Sequence, residues 1–301
     1  MTKDAVLAIL RKENDYISGE HISRLLGVSR AAVNTAVKAL RAEGYEISSS
    51  TNKGYHLDAV PNSISAQELA AYLDEARMQT VECLASVDST NNRLRELALA
   101  GAPNGQVVLA NEQTQGKGRR GRAFASPQDN GIYLSILFHP DTLPTDIVEI
   151  TAWTAVATNN AIEEVCGVRA GIKWVNDLVI DRKKICGILT EMSVESESGY
   201  IQYLIIGIGI NVNEQAEDFP EEVRHIATSL AMETGKTHSR AALAAALIRE
   251  LDSMCQAWPK EKTEYLETYR RDNITTGKEI TVVRGTEEAP VFAVAIGDDF
   301  S

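Results

Sequence analysis

The sequence predicts an α+β protein in which a small helix-and-hairpin domain precedes a larger domain. In the 301-residue chain, residues 1–60 carry 8 basic and 7 acidic side chains, a net charge of +1, whereas the remainder carries 22 and 35, a net charge of −13. Beyond residue 60, strand patterns joined by hairpin signals alternate with long apolar helices, which is typical of a mixed, largely antiparallel sheet. We therefore expect domains at 1–60 and 61–271 and a short β-rich segment at 272–301.

The composition excludes several classes of protein. The chain is 44% hydrophobic with 20 Gly and 8 Pro, which rules out collagen-like and wholly disordered chains. No apolar run reaches the roughly 18 residues that a membrane span needs, so we expect no membrane association. The N-terminus lacks the features of a secretory signal. The 4 Cys residues are scattered, which argues against a zinc site or a disulfide framework and fits a reducing cytoplasm.

The first 60 residues predict a winged helix-turn-helix. Three short helical patterns follow one another, and Ser29 is a good N-cap for the third. Gly44 stands where a glycine would end that helix. Two alternating segments then flank Asn52-Lys53-Gly54, which is a hairpin signal. The residues around Pro61 are typical of a linker.

The third helix and the tip of the hairpin predict a DNA-binding face. Arg and Asn side chains can read base edges, while Lys and Arg side chains can neutralise phosphates. A small domain for protein contacts, with a solvated basic face, is the alternative. The modest charge predicts weak binding by one copy and therefore a dimer on two half-sites. The candidate DNA-contacting residues are Ser29, Arg30, Asn34, Lys38, Arg41 and Lys53.

In the larger domain, a first candidate binding segment is 87–91 (VDSTN), which precedes a helical pattern. Ser89 or Thr90 could simply cap that helix. A helix N-terminus also presents free N–H groups to a polar ligand, and the hydroxyls beside it add hydrogen-bonding groups. Both interpretations stay open from these residues alone.

Residues 113–122 (QTQGKGRRGR) form the second candidate segment. Gly116, Gly118 and Gly121 match the spacing of a dinucleotide-binding loop, but Pro127 and further loop residues follow instead of an apolar helix, so that fold is excluded. Four cations in six residues, with flexible backbone between them, are suited to enclosing an anion such as a phosphate. A merely solvated basic loop is the alternative.

Three elements further along predict the rest of a site. The segment 173–177 (KWVND) stands at the end of a strand, and a hairpin follows it. Strand alternation turns the side chain of Lys184 away from that of Lys183 in this hairpin. Gly207 and Gly209 lie in an apolar strand and allow another group to approach its backbone closely.

Together these features resemble the bifunctional biotin–protein ligase and biotin-operon repressor family of bacteria, over residues 5–285. The resemblance rests on a winged helix-turn-helix followed in order by STNN (89–92), QTQGKGRRGR (113–122), KWVND (173–177), KKICGIL (183–189) and GIGINVN (207–213). It implies a central sheet resembling those of class II aminoacyl-tRNA synthetases and lipoate ligases. It also implies a C-terminal SH3-like barrel, of which 272–301 would supply only the first strands before the chain ends.

The resemblance further implies a reaction and its partners. Biotin and ATP, accompanied by Mg²⁺, form biotinyl-5′-adenylate, and the biotinyl group passes to a lysine of the biotin carboxyl carrier protein. The adenylate-loaded form dimerises on operator DNA and represses transcription. Two alternatives are a biotin-sensing transcription factor with little ligase activity and a relative of lipoate–protein ligases.

The family pattern also implies roles for individual residues. Lys184 and Arg119 would act on the reacting groups, while neutral side chains would bind the ureido ring of biotin. Asn176 and Asp177 are only candidates as Mg²⁺ ligands, and no protein metal ligand is assigned. Lys117 and Val175 replace the Arg and Pro that are usual in the family. The residues expected to bind biotin or ATP are Ser89, Thr90, Asn91, Gln113, Gly116, Lys117, Gly118, Arg119, Arg120, Arg122, Lys173, Asn176, Asp177, Lys184, Gly187 and Asn211.

Overall fold

The chain folds into two compact units, residues 1–62 and 63–301. A computed structural model describes residues 2–284 and 287–301. The division falls beside Pro61, in the stretch that the sequence predicts as a linker. The division into 61–271 and 272–301 remains a prediction, because residues 63–301 form one compact unit.

The first unit is a winged helix-turn-helix, as predicted. Ser18 and Ser29 cap the second and third helices, each hydroxyl accepting a hydrogen bond from the backbone N–H three residues later. The apolar residues of all three helices form one separate core, which includes Val6, Ile22 and Val37. The elements are α1 (Thr2–Lys12), α2 (Gly19–Leu26), α3 (Arg30–Ala42), β1 (Glu46–Ser50) and β2 (Gly54–Ala59).

A seven-stranded sheet is the centre of the second unit. Its strand order is β3-β4-β5-β9-β8-β7-β6, and only the β3–β4 pair is parallel among the described strands. The prediction of a mixed, largely antiparallel sheet is therefore confirmed. The strands are β3 (Val81–Leu84), β4 (Val107–Ala110), β5 (Ile132–Phe138), β6 (Gly171–Lys173), β7 (Asp177–Ile180), β8 (Lys183–Val194) and β9 (Ile201–Ile210).

Helices cover both faces of this sheet, so β5 is buried along its whole length. The two long helices, α7 and α9, supply much of the main core, while Leu94 of α6 packs with Leu137 and Ile205 in a smaller cluster. No helix among the described residues is both long and apolar enough to cross a bilayer. The helices are α4 (Ala66–Leu69), α5 (Glu75–Met78), α6 (Thr90–Leu99), α7 (Ile147–Cys166), α8 (Leu230–Thr234), α9 (Arg240–Ala257) and α10 (Lys262–Asp272).

The C-terminal segment forms one antiparallel hairpin, β10 (Lys278–Arg284) and β11 (Glu287–Ala293). The sequence predicts a strand at 291–296, whereas the structure has this strand at Glu287–Ala293, so both predicted bounds are wrong. Ile296 and Phe300 instead pack into the main core. The carbonyl of Phe300 accepts a 2.8 Å hydrogen bond from the indole N–H of Trp174, whose side chain stays half-exposed.

Candidate functional site

A small cavity of about 40 Å³ lies against the first half of β8 and the last residues of β9, and segment 113–124 bounds part of it. The chain brings together here residues that are as far as 120 positions apart, from Ser89 to Gly209. Ten residues predicted from the sequence line this cavity: Ser89, Thr90, Asn91, Gln113, Lys117, Gly118, Arg119, Asn176, Lys184 and Gly187.

One end of the cavity carries hydroxyls and amides from the start of α6. Ser89 occupies the N-cap position, yet its hydroxyl makes no capping hydrogen bond. Both the backbone N–H and the hydroxyl of Thr90 donate to Oε1 of Gln113, at 2.9 and 3.1 Å. Simple helix capping therefore does not account for the side chains of Ser89 and Thr90.

Two residues that the sequence analysis missed fix this end of the cavity. Oγ of the buried Ser135 lies 2.8 Å from Oγ1 of Thr90 and 2.5 Å from Oδ1 of Asn91. The Asn91 amide donates to Glu191 at 2.7 Å, and Glu191 also pairs with Arg95 at 2.9 Å. One feature of the sequence could have indicated Ser135, because this serine interrupts the otherwise apolar or aromatic β5 run IYLSILF. Nothing in the sequence pointed to Glu191.

The glycines of β9 make room for this arrangement, as predicted. A Cβ at Gly207 would lie 2.3 Å from Oδ1 of Asn91, and one at Gly209 would lie 2.5 Å from the ring of Phe124. Phe124 lines the cavity and also packs edge-on against Tyr133, with ring centroids 6.5 Å apart. This aromatic residue stands just after the cationic segment and was not predicted from the sequence.

The cationic segment folds as a tight loop. Gly118 donates to the carbonyl of Arg122 at 2.7 Å, and Phe124 donates to that of Gly116 at 2.9 Å. Arg120 stands at the tip with φ of 57°. Lys117 and Arg119 line the cavity, and each is exposed.

Single polar contacts connect these two cations to the rest of the unit. Lys117 donates through Nζ to the side chain of Asn92, and Arg119 donates to Oδ1 of Asn176 at 2.7 Å. Asn92 also donates to Asp88, and this hydrogen bond is the main cause that lowers the pKa of the Asp88 carboxyl. The loop therefore meets α6 on one side and the β6–β7 turn on the other.

Lys184 faces the cavity from β8, while its neighbour Lys183 is exposed, as strand alternation predicts. Nζ of Lys184 donates to Oδ1 of Asp177 at 2.7 Å. The side-chain amide of Asn176 also donates to Asp177, at 3.1 Å. This lysine is consequently held beside the cavity by a carboxylate on the adjacent strand β7.

The remaining predicted residues lie outside the cavity lining. Lys173, Arg120 and Arg122 are exposed. Asn211 donates to the backbone carbonyls of Lys184 and Thr228, so it positions the start of β8. The other two are Gly116, which is a buried residue of the loop, and Asp177, which accepts the hydrogen bond of Lys184. No cluster of three or more His, Cys, Asp or Glu that could hold a metal ion occurs in the described parts of the chain.

In the first unit, the six predicted DNA-binding residues lie in different surroundings. Arg30, Asn34 and Lys38 are exposed along α3, with Asn34 donating to the Tyr55 hydroxyl at 3.2 Å. Arg41 instead donates to the carbonyl of Ile47 and to Ser49 of β1. The other two are Ser29, which caps α3, and Lys53, whose Nζ lies 5.8 Å from the ring centre of Tyr16.

Comparisons with known proteins agree with both units. Residues 83–211 match the biotin/lipoate A/B protein ligase family, and residues 2–56 match a helix-turn-helix domain. The bifunctional ligase/repressor BirA of Bacillus subtilis strain 168 is 40% identical over 242 residues, which cover 80% of this chain and 74% of that protein. The BirA protein of Escherichia coli K12 is 28% identical over 294 residues, covering 97% and 88% of the two chains.

A solved structure shares the fold of the second unit. The biotin protein ligase of Aquifex aeolicus, in complex with biotin and ATP, superposes with a TM-score of 0.62 at 27% sequence identity. The match covers 72% of this chain and 88% of that chain.

Proposed function

Because this chain belongs to the family of bifunctional biotin ligase/repressors, we propose that it joins biotin to a carrier protein with ATP and represses transcription. The acceptor is a lysine of the biotin carboxyl carrier protein, and the intermediate is biotinyl-5′-adenylate. Its place of action is the cytoplasm, where the four free thiols are stable.

The chemistry of the cavity carries the ligase part of this proposal. One end presents neutral hydroxyl and amide groups, from Thr90, Asn91 and Gln113, which match the N–H and C=O groups of a ureido ring. The other end presents Lys117, Arg119 and Lys184, which match a carboxylate and a phosphate. Biotin has both a ureido ring and a carboxylate, so it spans the two ends.

In the first step, a carboxylate oxygen of biotin attacks the α-phosphorus of ATP. A new P–O bond forms, the bond to the β-phosphate breaks, and pyrophosphate leaves with the electron pair. Both reactants are anions, so cations must offset their repulsion. Lys184 and Arg119 stabilise the charge that develops on the α-phosphate oxygens.

In the second step, the amine of the carrier lysine attacks the carbonyl of the adenylate. An amide bond forms, the bond from the carbonyl carbon to the phosphate oxygen breaks, AMP leaves and the nitrogen loses a proton. The adenylate must be kept from water between the two steps. The loop that carries Lys117 and Arg119 borders the cavity and is the segment that encloses it.

Mg²⁺ is part of the proposal as the companion of ATP, since this ion binds mainly to phosphate oxygens and water in such sites. Asn176 and Asp177, which lie beside Lys184, are the candidate ligands in the chain. The Asp177 carboxylate is already paired with Lys184, so it would contact Mg²⁺ only alongside that ammonium group.

The repressor part of the proposal depends on the first unit. Arg30, Asn34 and Lys38 form an exposed stripe on α3, which is the recognition helix of a helix-turn-helix. A unit with so small a net charge binds DNA weakly as one copy. We therefore propose that ligand loading promotes a homodimer, which places two copies on two half-sites of operator DNA.

A single assay tests the ligase function. The protein is incubated with ATP, biotin and a biotin carrier domain, and the mass of the carrier is measured. Addition of one biotinyl group supports the proposal. No addition, with biotin-dependent DNA binding retained, identifies a sensor without ligase activity, and transfer of lipoate but not biotin identifies a lipoate ligase.

Removal of residues 1–62 tests the division of labour between the units. Because these residues form their own core, the shortened protein should still make the adenylate but should not retain operator DNA in a binding assay. Loss of adenylate synthesis in that protein would contradict the proposed independence of the two functions.

A further inference from the structure

The segment that carries the cations is tied together at its two ends. Asn111 stands before this segment, and Asp129 and Gly131 stand after it; we call these three residues the loop stem. The backbone N–H of Asp129 donates to the carbonyl of Asn111 at 3.1 Å. Gln113, Lys117, Arg119 and Phe124 all lie between the two ends of the stem.

One side chain contacts every member of the stem. The guanidinium of Arg240 donates from Nε to the Gly131 carbonyl at 2.8 Å and from Nη2 to Oδ1 of Asn111 at 3.1 Å. Its Nη1 pairs with Oδ1 of Asp129 at 3.4 Å. The planar fork of an arginine suits such simultaneous contacts, whereas the ammonium group of a lysine would not reach all three.

The location of Arg240 is unfavourable for a residue that only fills space. Its side chain is completely buried, and taking a cation out of water costs free energy that contacts must offset. It is also the first residue of α9, where the helix dipole disfavours positive charge. An apolar side chain would avoid both penalties, so the contacts to the stem require an explanation.

We infer that Arg240 is a positioning residue for the adenylation site, which it never touches. It fixes both ends of segment 112–128 and thereby sets where Lys117 and Arg119 stand when they enclose the phosphate. This inference rests on the proposed function for its effect on the adenylate. Its effect on the order of the loop does not depend on that function.

Other contacts limit what Arg240 alone determines. The Tyr133 hydroxyl donates to the carbonyl of Pro127 at 2.9 Å, and Asn111 exchanges two hydrogen bonds with the backbone of Ile64. Without Arg240 the two sides of the loop stay joined by the Asp129–Asn111 backbone hydrogen bond and by Gln113, which bonds Ser126 at 2.9 Å. Replacement of Arg240 should therefore loosen the loop without unfolding the sheet.

Limited trypsin digestion of the full-length, ligand-free protein tests the effect on the loop. The loop has cleavable bonds after Lys117, Arg119, Arg120 and Arg122, and the exposed β7–β8 turn at 182–183 provides an internal reference. In Arg240→Met, loop cleavage relative to turn cleavage should rise about tenfold or more, as expected when charged hydrogen bonds are lost. Arg240→Lys should fall between this variant and the wild type.

Arg249→Met is the matched control, because Arg249 lies on the same helix but is exposed and pairs with Glu164. It should cleave like the wild type. Asp129→Asn provides a second variant, because its half-exposed side chain can lose one contact without a folding defect. It should raise relative loop cleavage by about threefold. If Arg240→Met accelerates cleavage equally at the loop and at the turn, the variant is generally unfolded. The relative loop cleavage of Asp129→Asn then tests the inference: an increase supports it, and no increase overturns it.

The adenylate off-rate provides the second measurement. Arg240→Met should release adenylate about tenfold faster, while the Arg249→Met variant should not. A wild-type protein that makes no adenylate would contradict the proposed function, whatever trypsin shows. A wild type that makes it, with unchanged off-rate and unchanged relative cleavage in both stem variants, would overturn the role of Arg240.

Discussion

The two ends of the cavity are organised in different ways. At the neutral end, Thr90 and Asn91 are buried, and Gln113, Ser135 and Glu191 hold their polar groups. At the cationic end, Lys117 and Arg119 are exposed, and a single asparagine contact holds each of them. The neutral end is held by residues from four separate parts of the chain, whereas the cationic end is held mainly by one loop.

This difference follows from the cost of desolvation. Neutral hydroxyls and amides can be buried beforehand if each is hydrogen-bonded, so that recognition of a ureido ring needs little rearrangement. Cations buried in the absence of an anion would be costly. Side chains that remain in water until phosphate arrives avoid this cost, and Lys184, which is partly buried, has Asp177 as a partner meanwhile.

The largest expected effect is at Lys184. Its ammonium group faces the cavity and stabilises the transition state at phosphorus more than the separate substrates. Lys184→Ala should lower kcat for adenylation by about a hundredfold or more, the effect of removing one preorganised donor. Pyrophosphate release in single-turnover experiments measures this step.

Lys183→Ala is the matched control for that prediction. Lys183 is the preceding residue of the same strand, and its side chain is exposed. Its replacement should leave kcat nearly unchanged, as is usual for surface substitutions. Similar losses at both positions would contradict the inward orientation of Lys184 as the source of the effect.

The next effect concerns the exposed cations. Arg119→Ala should release the adenylate about tenfold to a hundredfold faster, because one charged hydrogen bond to phosphate, about 1.5–3 kcal/mol, is lost. Arg120→Ala should have little effect, since Arg120 stands at the loop tip outside the cavity lining. Off-rates of labelled adenylate in a chase experiment measure both, and an unchanged rate in Arg119→Ala removes this residue from the site.

A smaller effect is expected at the preorganised end. Ser135→Ala removes the hydroxyl that lies between Thr90 and Asn91. The KM for biotin should rise about tenfold, corresponding to 1–2 kcal/mol for buried polar groups that lose a partner. The kcat should change little, because this end does not contact the reacting phosphorus.

Ser193→Ala is the control, because it also removes a serine hydroxyl from a strand of the sheet. The Ser193 hydroxyl donates a hydrogen bond to Gln202 on β9, away from the cavity. This replacement should leave the biotin KM unchanged. If Ser135→Ala lowers kcat but not affinity for biotin, the assignment of the two ends is reversed.

The smallest effect on the reaction is expected at Glu214, which is completely buried. Burial raises the pKa of its carboxyl to about 7. The folded protein therefore binds more protons than the unfolded chain between about pH 4.5 and 7, and stability falls as pH rises through this window. Glu214→Gln should remove this pH-dependent decrease in the free energy of unfolding, which amounts to about 3 kcal/mol between pH 4 and pH 8.

Urea unfolding of the two proteins across this pH range measures the difference. The stability of the wild type relative to Glu214→Gln should decrease steadily as the pH is raised. A difference that is constant with pH would show that the Glu214 carboxyl does not titrate in this window. Adenylation should remain close to wild type at pH 7.

The sequence was most informative where the structure depends on near neighbours. Ser29 caps its helix because a hydroxyl can reach a backbone N–H three residues ahead. The opposite orientations of Lys183 and Lys184 follow from the two-residue repeat of a strand. The cationic loop was recognisable because its composition has no use in a packed core.

Contacts between distant segments were not predictable in this way. Asn91 and Glu191 meet because β9 pairs with β5 and β8 pairs with β9, an order that local patterns do not specify. Arg240 similarly reaches residues more than 100 positions earlier. The helical spacing of Arg41 predicted a DNA-facing residue, but it did not indicate that β1 would bring the Ile47 carbonyl within its reach.

The half-exposed Trp174 has a spectroscopic consequence. Of the three tryptophans, Trp153 is stacked on Tyr265 in the core, and Trp258 packs edge-on against Trp153. Trp174 stands two residues before Asn176, the residue that Arg119 contacts. Solvent-quenchable emission of the chain therefore comes mainly from the Trp174 ring, so that intrinsic fluorescence reports on the segment 173–177 without any attached dye.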